Sequence, residues 1–276
     1  MKWIALIFTL LTGQMAWSQK DIGAQLYTFR KQLASDLPGT LKKIREMGIT
    51  KLEGEGGYGV PVPQFRELLK ANQLRLISVG ADFEKLQHDI PGIIAYARSF
   101  GAKYVVCFGI PRSAGRLGIK DAQKAIEVFN HAGKVLHDNG LSFCYHPHGF
   151  EFDPFEGGTV FDYMVRLLNP DWANFEMDVF WFKQAGQDPL AYLKKYPRRF
   201  PLMHLKDRKP GSPYSYNGEA DEETNVVLGK GDVGITAIMS VARQYGVKEY
   251  FIEDESSRCM TQVAESLAFL RSLPKK

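Results

Sequence analysis

The chain has 276 residues, 45% of them hydrophobic, and a formal net charge of +4. That length suits one large α/β domain, since a barrel of this class needs ~250 residues, and the hydrophobic content is ordinary for a globular enzyme. Lys and Arg are scattered, and Lys275-Lys276 is only a basic tail, so the chain lacks a nucleic-acid footprint. Cys107, Cys144 and Cys259 make an odd count, which argues against a disulfide framework.

Met1-Lys2, the apolar run Ile4 to Leu11 and the small residues of Ala16-Trp17-Ser18 read as a signal peptide cleaved before Gln19. The apolar run is too short to span a bilayer, and no Cys follows it to carry a lipid anchor. Residues 1–18 are therefore set apart as a signal peptide, residues 19–276 as the folded domain, and the protein is expected to be exported to the periplasm.

In chain order, Ile22 to Tyr27 predicts a strand, and Asp36-Leu-Pro-Gly opens a helix that Gly48 stops. Thr50 to Glu53 is a second strand and Pro63 opens a helix. Leu74 to Val79 is a third strand, followed by a helix over 82–100 that Gly101 closes. Lys103 to Phe108 is a fourth strand, followed by a long amphipathic helix from Asp121 to Asn139. Leu141 to Tyr145 is the fifth strand and delivers His146-Pro-His-Gly-Phe-Glu151; a helix follows from Phe161. Asn174 to Met177, Leu202 to Leu205 and Glu249 to Ile252 are the last strands, with helices from Pro189, Ile235 and Gln262.

Eight strands in strict alternation with helices call for a parallel sheet with right-handed crossovers. At this length they fit a single closed (β/α)8 TIM barrel better than an open doubly wound sheet. No Gly-x-Gly-x-x-Gly follows the first strand and no Walker A sequence is present. The connection 207–231 is too long for an ordinary loop, and its Tyr214, Tyr216 and Asn217 are placed to cover a sugar.

The chemistry gathers at the strand C-termini, which in a barrel share one mouth. They carry Gln25, Tyr27, Glu53, Glu55, His146, His148, Glu151, Asp178, Trp181, His204, Lys206, Glu253 and Glu255. Carboxylates and imidazoles without cysteine point to a mixed O/N site for one divalent metal ion: Mn²⁺, Mg²⁺, Co²⁺ or Zn²⁺.

Tyr145-His-Pro-His-Gly-Phe-Glu-Phe152, Met177-Asp-Val-Phe-Trp181, His204-Leu-Lys-Asp207, Gly229-Lys-Gly-Asp232 and Ile252-Glu253 resemble the sugar phosphate isomerase/epimerase-like barrels of the xylose isomerase-like superfamily, over essentially all of residues 19–276. The resemblance implies a Glu, Asp, His, Glu metal set from strands five to eight, two of whose acids also exchange protons with substrate carbon. Asp178, His204 and Glu253 match directly. At strand five this chain has His146 where the family has Glu, so His146 or His148 replaces the carboxylate, or Glu151 reaches back. Glu151 is taken as the fourth ligand beside Asp178, His204 and Glu253.

Such a site suits proton abstraction next to a carbonyl, through an enediolate that the metal stabilises. Glu253, Glu151, His146 and His148 are the candidate bases, and Lys206 stabilises developing negative charge. Gln25, Tyr27, Glu53 and Trp181 are expected to bind the substrate. Export and the absence of a phosphate motif favour an unphosphorylated sugar or keto-sugar as small-molecule partner, handled by an isomerase or epimerase. A lyase or hydratase acting by β-elimination on 3-keto-glycosides or inosose-like substrates is the alternative, and a non-catalytic sugar-binding barrel the second. No nucleic acid and, after signal cleavage, no membrane is expected as a partner; a homo-oligomer stays open.

Overall fold

The computed structural model describes residues 22–112 and 116–274. The signal-peptide reading of residues 1–18 lies outside them.

The strands are β1 (Ile22–Gln25), β2 (Lys51–Gly54), β3 (Arg75–Gly80), β4 (Tyr104–Cys107), β5 (Ser142–Tyr145), β6 (Ala173–Asp178), β7 (Leu202–Leu205) and β8 (Glu249–Ile252). Each pairs in parallel with the next, and β8 closes on β1 with Ile22 opposite Tyr250. The result is the (β/α)8 barrel. On β6 and β7, Glu176 lies opposite Leu202 and Asp178 opposite His204.

Helix boundaries follow local capping chemistry. The Asp36 carboxylate accepts from Gly39 N–H and starts Leu37–Glu46, with Pro38 in the first turn, where a missing N–H costs nothing. The helix predicted over 82–100 is two helices, Phe83–His88 and Ile90–Phe100. Pro91 supplies no N–H to continue the first helix, and Asp89, at φ −143 and ψ 53, leaves the helical path and caps the second segment through Gly92 N–H. A short helix, Val179–Gln184, directly follows β6 and was not anticipated.

Apolar side chains fill two places. The larger cluster, including Leu41, Phe65, Phe129, Phe161 and Val263, lies between strands and helices. The smaller one, Ile77, Tyr104, Val106, Cys144, Leu202 and Phe251, forms a separate packed group. Phe251 is fully buried, which contributes ~2 kcal/mol. Its ring requires Gly23 on the neighbouring strand, because a Cβ there would stand 2.7 Å from the ring and 2.9 Å from Lys51 O.

Residues 207–231 are ordered. Asp207–Arg208 pairs with Asn225–Val226 in a small antiparallel ladder. The Asp207 carboxylate accepts from the N–H groups of Arg208, Gly229, Gly231 and Val233, at 2.8 to 3.2 Å. Arg208, fully buried, donates to Asp232, Gln184 and Ser212 O. The Gly229-Lys-Gly-Asp232 segment is thus the chain's wrapping around Asp207. A Cβ at Gly231 would overlap that carboxylate and stand 2.6 Å from Arg208 O. Gly231→Ala is therefore expected to cost ~1–3 kcal/mol, read as a lower urea midpoint, and to open the loop to limited proteolysis. An unchanged cleavage pattern would refute this. Among the described residues no helix is long and apolar enough to cross a membrane.

Candidate metal centre

Side chains alternate along a strand, so residues two apart share a face. Glu176 and Asp178 on β6, His204 and Lys206 at the end of β7, and Glu253 and Glu255 after β8 are such pairs. His146, Asp178, His204 and Glu253 come together with one ligand atom each, all within 4.8 Å of one another, and all four are buried.

Each is aimed by its surroundings. Asp178 caps Val179–Gln184: its Oδ1 accepts from Phe180 N–H at 2.8 Å and Trp181 N–H at 3.3 Å. That turns Oδ2 into the cluster, where it has no hydrogen-bond partner although the residue is 0% exposed. His146 Nε2 lies 3.1 Å from His204 Nδ1 and 3.7 Å from Asp178 Oδ2. Glu253 Oε2 lies 3.4 Å from His204 Nδ1 and 3.2 Å from Lys206 Nζ. Two imidazole nitrogens and two carboxylate oxygens, one of them orphaned and buried, fit a divalent ion of the Zn²⁺, Mn²⁺, Co²⁺ or Mg²⁺ kind.

The electrostatics divide the two histidines. Burial, then the neighbouring His204, holds His146 down to about 3, so its ring is neutral. Burial opposes charge on His204 as well, but Glu176 and Glu253 outweigh it and raise its pKa well above the ordinary value. Burial alone would raise Glu253; Lys206 and His204 reverse this and hold it well below the carboxylate range. Lys206 is 1% exposed and stays charged, because Glu253, Glu255 and Asp178 overcome its desolvation. Its ammonium pairs with Glu255 and lies 5.0 Å from the Phe180 ring centroid and 5.3 Å from that of Trp181.

His148 stands beside the cluster. Its ring centroid is 4.5 Å from that of His146 and 5.5 Å from that of Trp181. Burial, then His146, holds it well below the ordinary value and therefore neutral. Among the described residues no group hydrogen-bonds its ring nitrogens. The 207–231 loop packs close by: a Cβ on Gly218 would lie 3.8 Å from His148 Cβ.

Three expected positions differ. Glu151 is not with the ligand atoms; His146 occupies that side of the cluster. Gly149, at φ 102, turns the chain back, and the Glu151 carboxylate accepts from the Tyr145 hydroxyl and from the N–H groups of His148 and Gly149. Glu53 and Gln25, expected to hold substrate, are 0% and 3% exposed and bond each other and His204 instead. Tyr27 is 50% exposed, and Trp181 lies against Lys206 and His148. Sequence reasoning passed over Glu176 and placed Glu255, the partner of Lys206, at the mouth without giving it a role. The signal for Glu176 was its spacing of two from Asp178.

Burial raises the Glu151 carboxyl to about 7, against the hydrogen bonds from Tyr145, His148 and Gly149. The folded state thus binds this proton more tightly than the unfolded chain. The associated stability is fully present below pH ~4.5 and lost as pH rises through ~7, a swing of ~3 kcal/mol. The stability of wild type minus that of Glu151→Gln is expected to fall by about that amount between pH 4.5 and 7.5 in urea titrations; a pH-independent difference would contradict it.

The family model for the xylose isomerase-like TIM barrel matches residues 41–273. An inosose dehydratase from Klebsiella pneumoniae is 26% identical over 145 residues, 47% of this chain and 46% of that protein. The match thus spans about half the length of that curated relative. A sugar phosphate isomerase/epimerase structure from Parabacteroides distasonis superposes with a TM-score of 0.78 at 24% identity, covering 94% of this chain and 96% of that one. A xylose isomerase-like barrel from Mycobacterium smegmatis in complex with magnesium superposes at 0.69 and 15% identity, covering 92% and 97%. These likenesses establish the fold, and the family match covers nearly all of the described barrel. The chain belongs to the xylose isomerase-like TIM barrel family.

Proposed function

We propose that the protein is a divalent-metal-dependent carbon–oxygen lyase. It would remove the proton next to a carbonyl of an unphosphorylated keto-sugar or inosose-like substrate and expel the oxygen substituent on the following carbon. The observation that carries this is the convergence of His146, Asp178, His204 and Glu253 beside a neutral imidazole on His148, whose ring nitrogens no group among the described residues hydrogen-bonds. An ion held by those four residues supplies Lewis acidity toward a carbonyl.

The remaining steps belong to the chain. His148 accepts the carbon-bound proton, since its ring is neutral at rest and, among the described residues, no group hydrogen-bonds its ring nitrogens. Lys206, a permanent cation under Trp181, stabilises negative charge on the substrate oxygen. As the carbon–oxygen bond breaks, its electron pair leaves with the oxygen, a carbon–carbon double bond forms, and protonated His148 returns its proton to the leaving group. Isomerisation or epimerisation by two acids on opposite faces fits less well, because a histidine stands on the strand-five side and Glu151 is turned away. The dehydratase activity of the inosose dehydratase relative supports elimination. An N-terminal signal peptide, which we include in the proposal, places the enzyme outside the cytoplasm, where phosphorylated sugars are scarce.

The test is incubation of stripped and Mn²⁺-reloaded protein with a 3-keto-glucoside or an inosose in deuterated water, followed by NMR. An elimination product is expected, formed ~10²–10⁴-fold more slowly by His148→Ala with Mn²⁺ affinity retained. Carbon-bound deuterium without elimination would favour the isomerase reading. Sugar binding that survives metal stripping, with no turnover, would make the barrel a binding protein.

A further inference from the structure

His204 joins two layers. Its Nδ1 faces His146, Glu253 and Asp178, as described above. Its Nε2 faces the opposite way, 2.5 Å from Glu53 Oε1 and 3.3 Å from Glu176 Oε2. Glu53 Oε1 also accepts from Gln25 Nε2 at 3.0 Å. Gln25 has no freedom to turn over, because its Oε1 accepts from Tyr27 N–H at 3.2 Å. The amide therefore presents its NH₂ to Glu53, and the Glu53 oxygen receives two donors, one from Gln25 and one from His204. All three side chains are almost wholly buried, so water does not compete for these bonds.

A neutral imidazole free to choose carries its proton on either nitrogen, and only the other nitrogen binds a cation. When a cation displaces one of the two ring protons of charged His204, a carboxylate facing Nε2 settles which: Nε2 keeps its proton, and the Nδ1 lone pair points at the mouth. We propose that Gln25 and Glu53 are positioning residues that fix the tautomer and ring plane of His204 so that Nδ1 is delivered to a divalent cation. The proposal rests on the metal reading of the cluster. It assigns Glu53, its oxygen unavailable to substrate, a role toward the ion through histidine. Glu176, from the same side, adds a second acceptor within reach of the same N–H.

The experiment compares full-length wild type, Glu53→Leu and Glu53→Gln. Each is checked for folding by circular dichroism and titrated with Mn²⁺, free ion being counted by EPR. Glu53→Leu is expected to bind Mn²⁺ ~10–100-fold more weakly, and Glu53→Gln, whose carbonyl oxygen still accepts, to recover most of that loss. ¹⁵N-histidine spectra of Zn²⁺-loaded wild type are expected to show His204 protonated on Nε2. Protonation on Nδ1, or unchanged Mn²⁺ affinity in folded Glu53→Leu, would overturn the relay while leaving the metal centre standing. Two Mn²⁺ ions per chain would also overturn it, since Glu53, Glu176 and His204 would then be ligands of a deeper ion. Wild type that binds no cation would overturn the metal reading and the relay together.

Discussion

Asp178→Asn is expected to abolish metal binding and activity while leaving the barrel folded. The amide oxygen of asparagine can still accept from Phe180 and Trp181 N–H, so Val179–Gln184 keeps its cap. What is lost is the anionic Oδ2, the buried oxygen that has no hydrogen-bond partner. Mn²⁺ affinity should fall at least ~100-fold, since second-sphere changes alone cost 10–100-fold. Turnover should fall ~10³-fold or more, the equivalent of several kcal/mol of Lewis-acid stabilisation. Thermal shift provides a second reading. Mn²⁺ at 100 times its Kd should stabilise wild type by ~2.7 kcal/mol, and the same concentration should leave the variant unmoved. A variant that retains both affinity and turnover would remove Asp178 from the site.

Lys206→Met should produce the largest loss of stability. The methionine fills similar space, but Glu253 and Glu255 lose the cation between them while the residue itself is 1% exposed. Removing one partner of a buried charge cluster costs ~3–5 kcal/mol. The apparent unfolding free energy should fall by that amount in metal-free protein. Adding Glu255→Gln to Lys206→Met should recover part of the loss, because one uncompensated carboxylate disappears, and the two changes are close enough to couple. Turnover should fall as well, as the proposed role of Lys206 toward the developing charge requires. Unchanged stability would mean that the ammonium is replaceable by water.

These effects arise from a short length of chain acting through long-range contacts. His204 meets Glu53 across 151 positions and Lys206 meets Glu253 across 47. Once the strands are in register, the interior faces of β6 and β7 and the chain just past β8 bring Glu176, Asp178, His204, Lys206, Glu253 and Glu255 to one end. The 207–231 connection then adds its own anchors, the Asp207 carboxylate and the Arg208 guanidinium, and comes to lie over the His148 turn.

The sequence by itself determined the barrel, because its information is local and repeated. Apolar runs end in polar residues, amphipathic stretches follow, and glycines and prolines mark the joints, so eight strands emerge with ends correct to within about two residues. It also determined that Asp178, His204, Lys206 and Glu253 share the mouth, since each sits at a strand's C-terminal end. The tertiary structure decided which acids face the cluster. Glu151 lies five residues past His146 in a turn, and only the left-handed bend at Gly149 sends its carboxylate back to Tyr145 and leaves His146 at the cluster. Gln25 and Glu53 lie at strand ends like the rest, yet closure of β1 and β2 into the ring puts them under His204 rather than before a substrate. Alternation tells which face a residue is on. How deep in the barrel it stands depends on the stagger between strands, which forms only when the sheet closes.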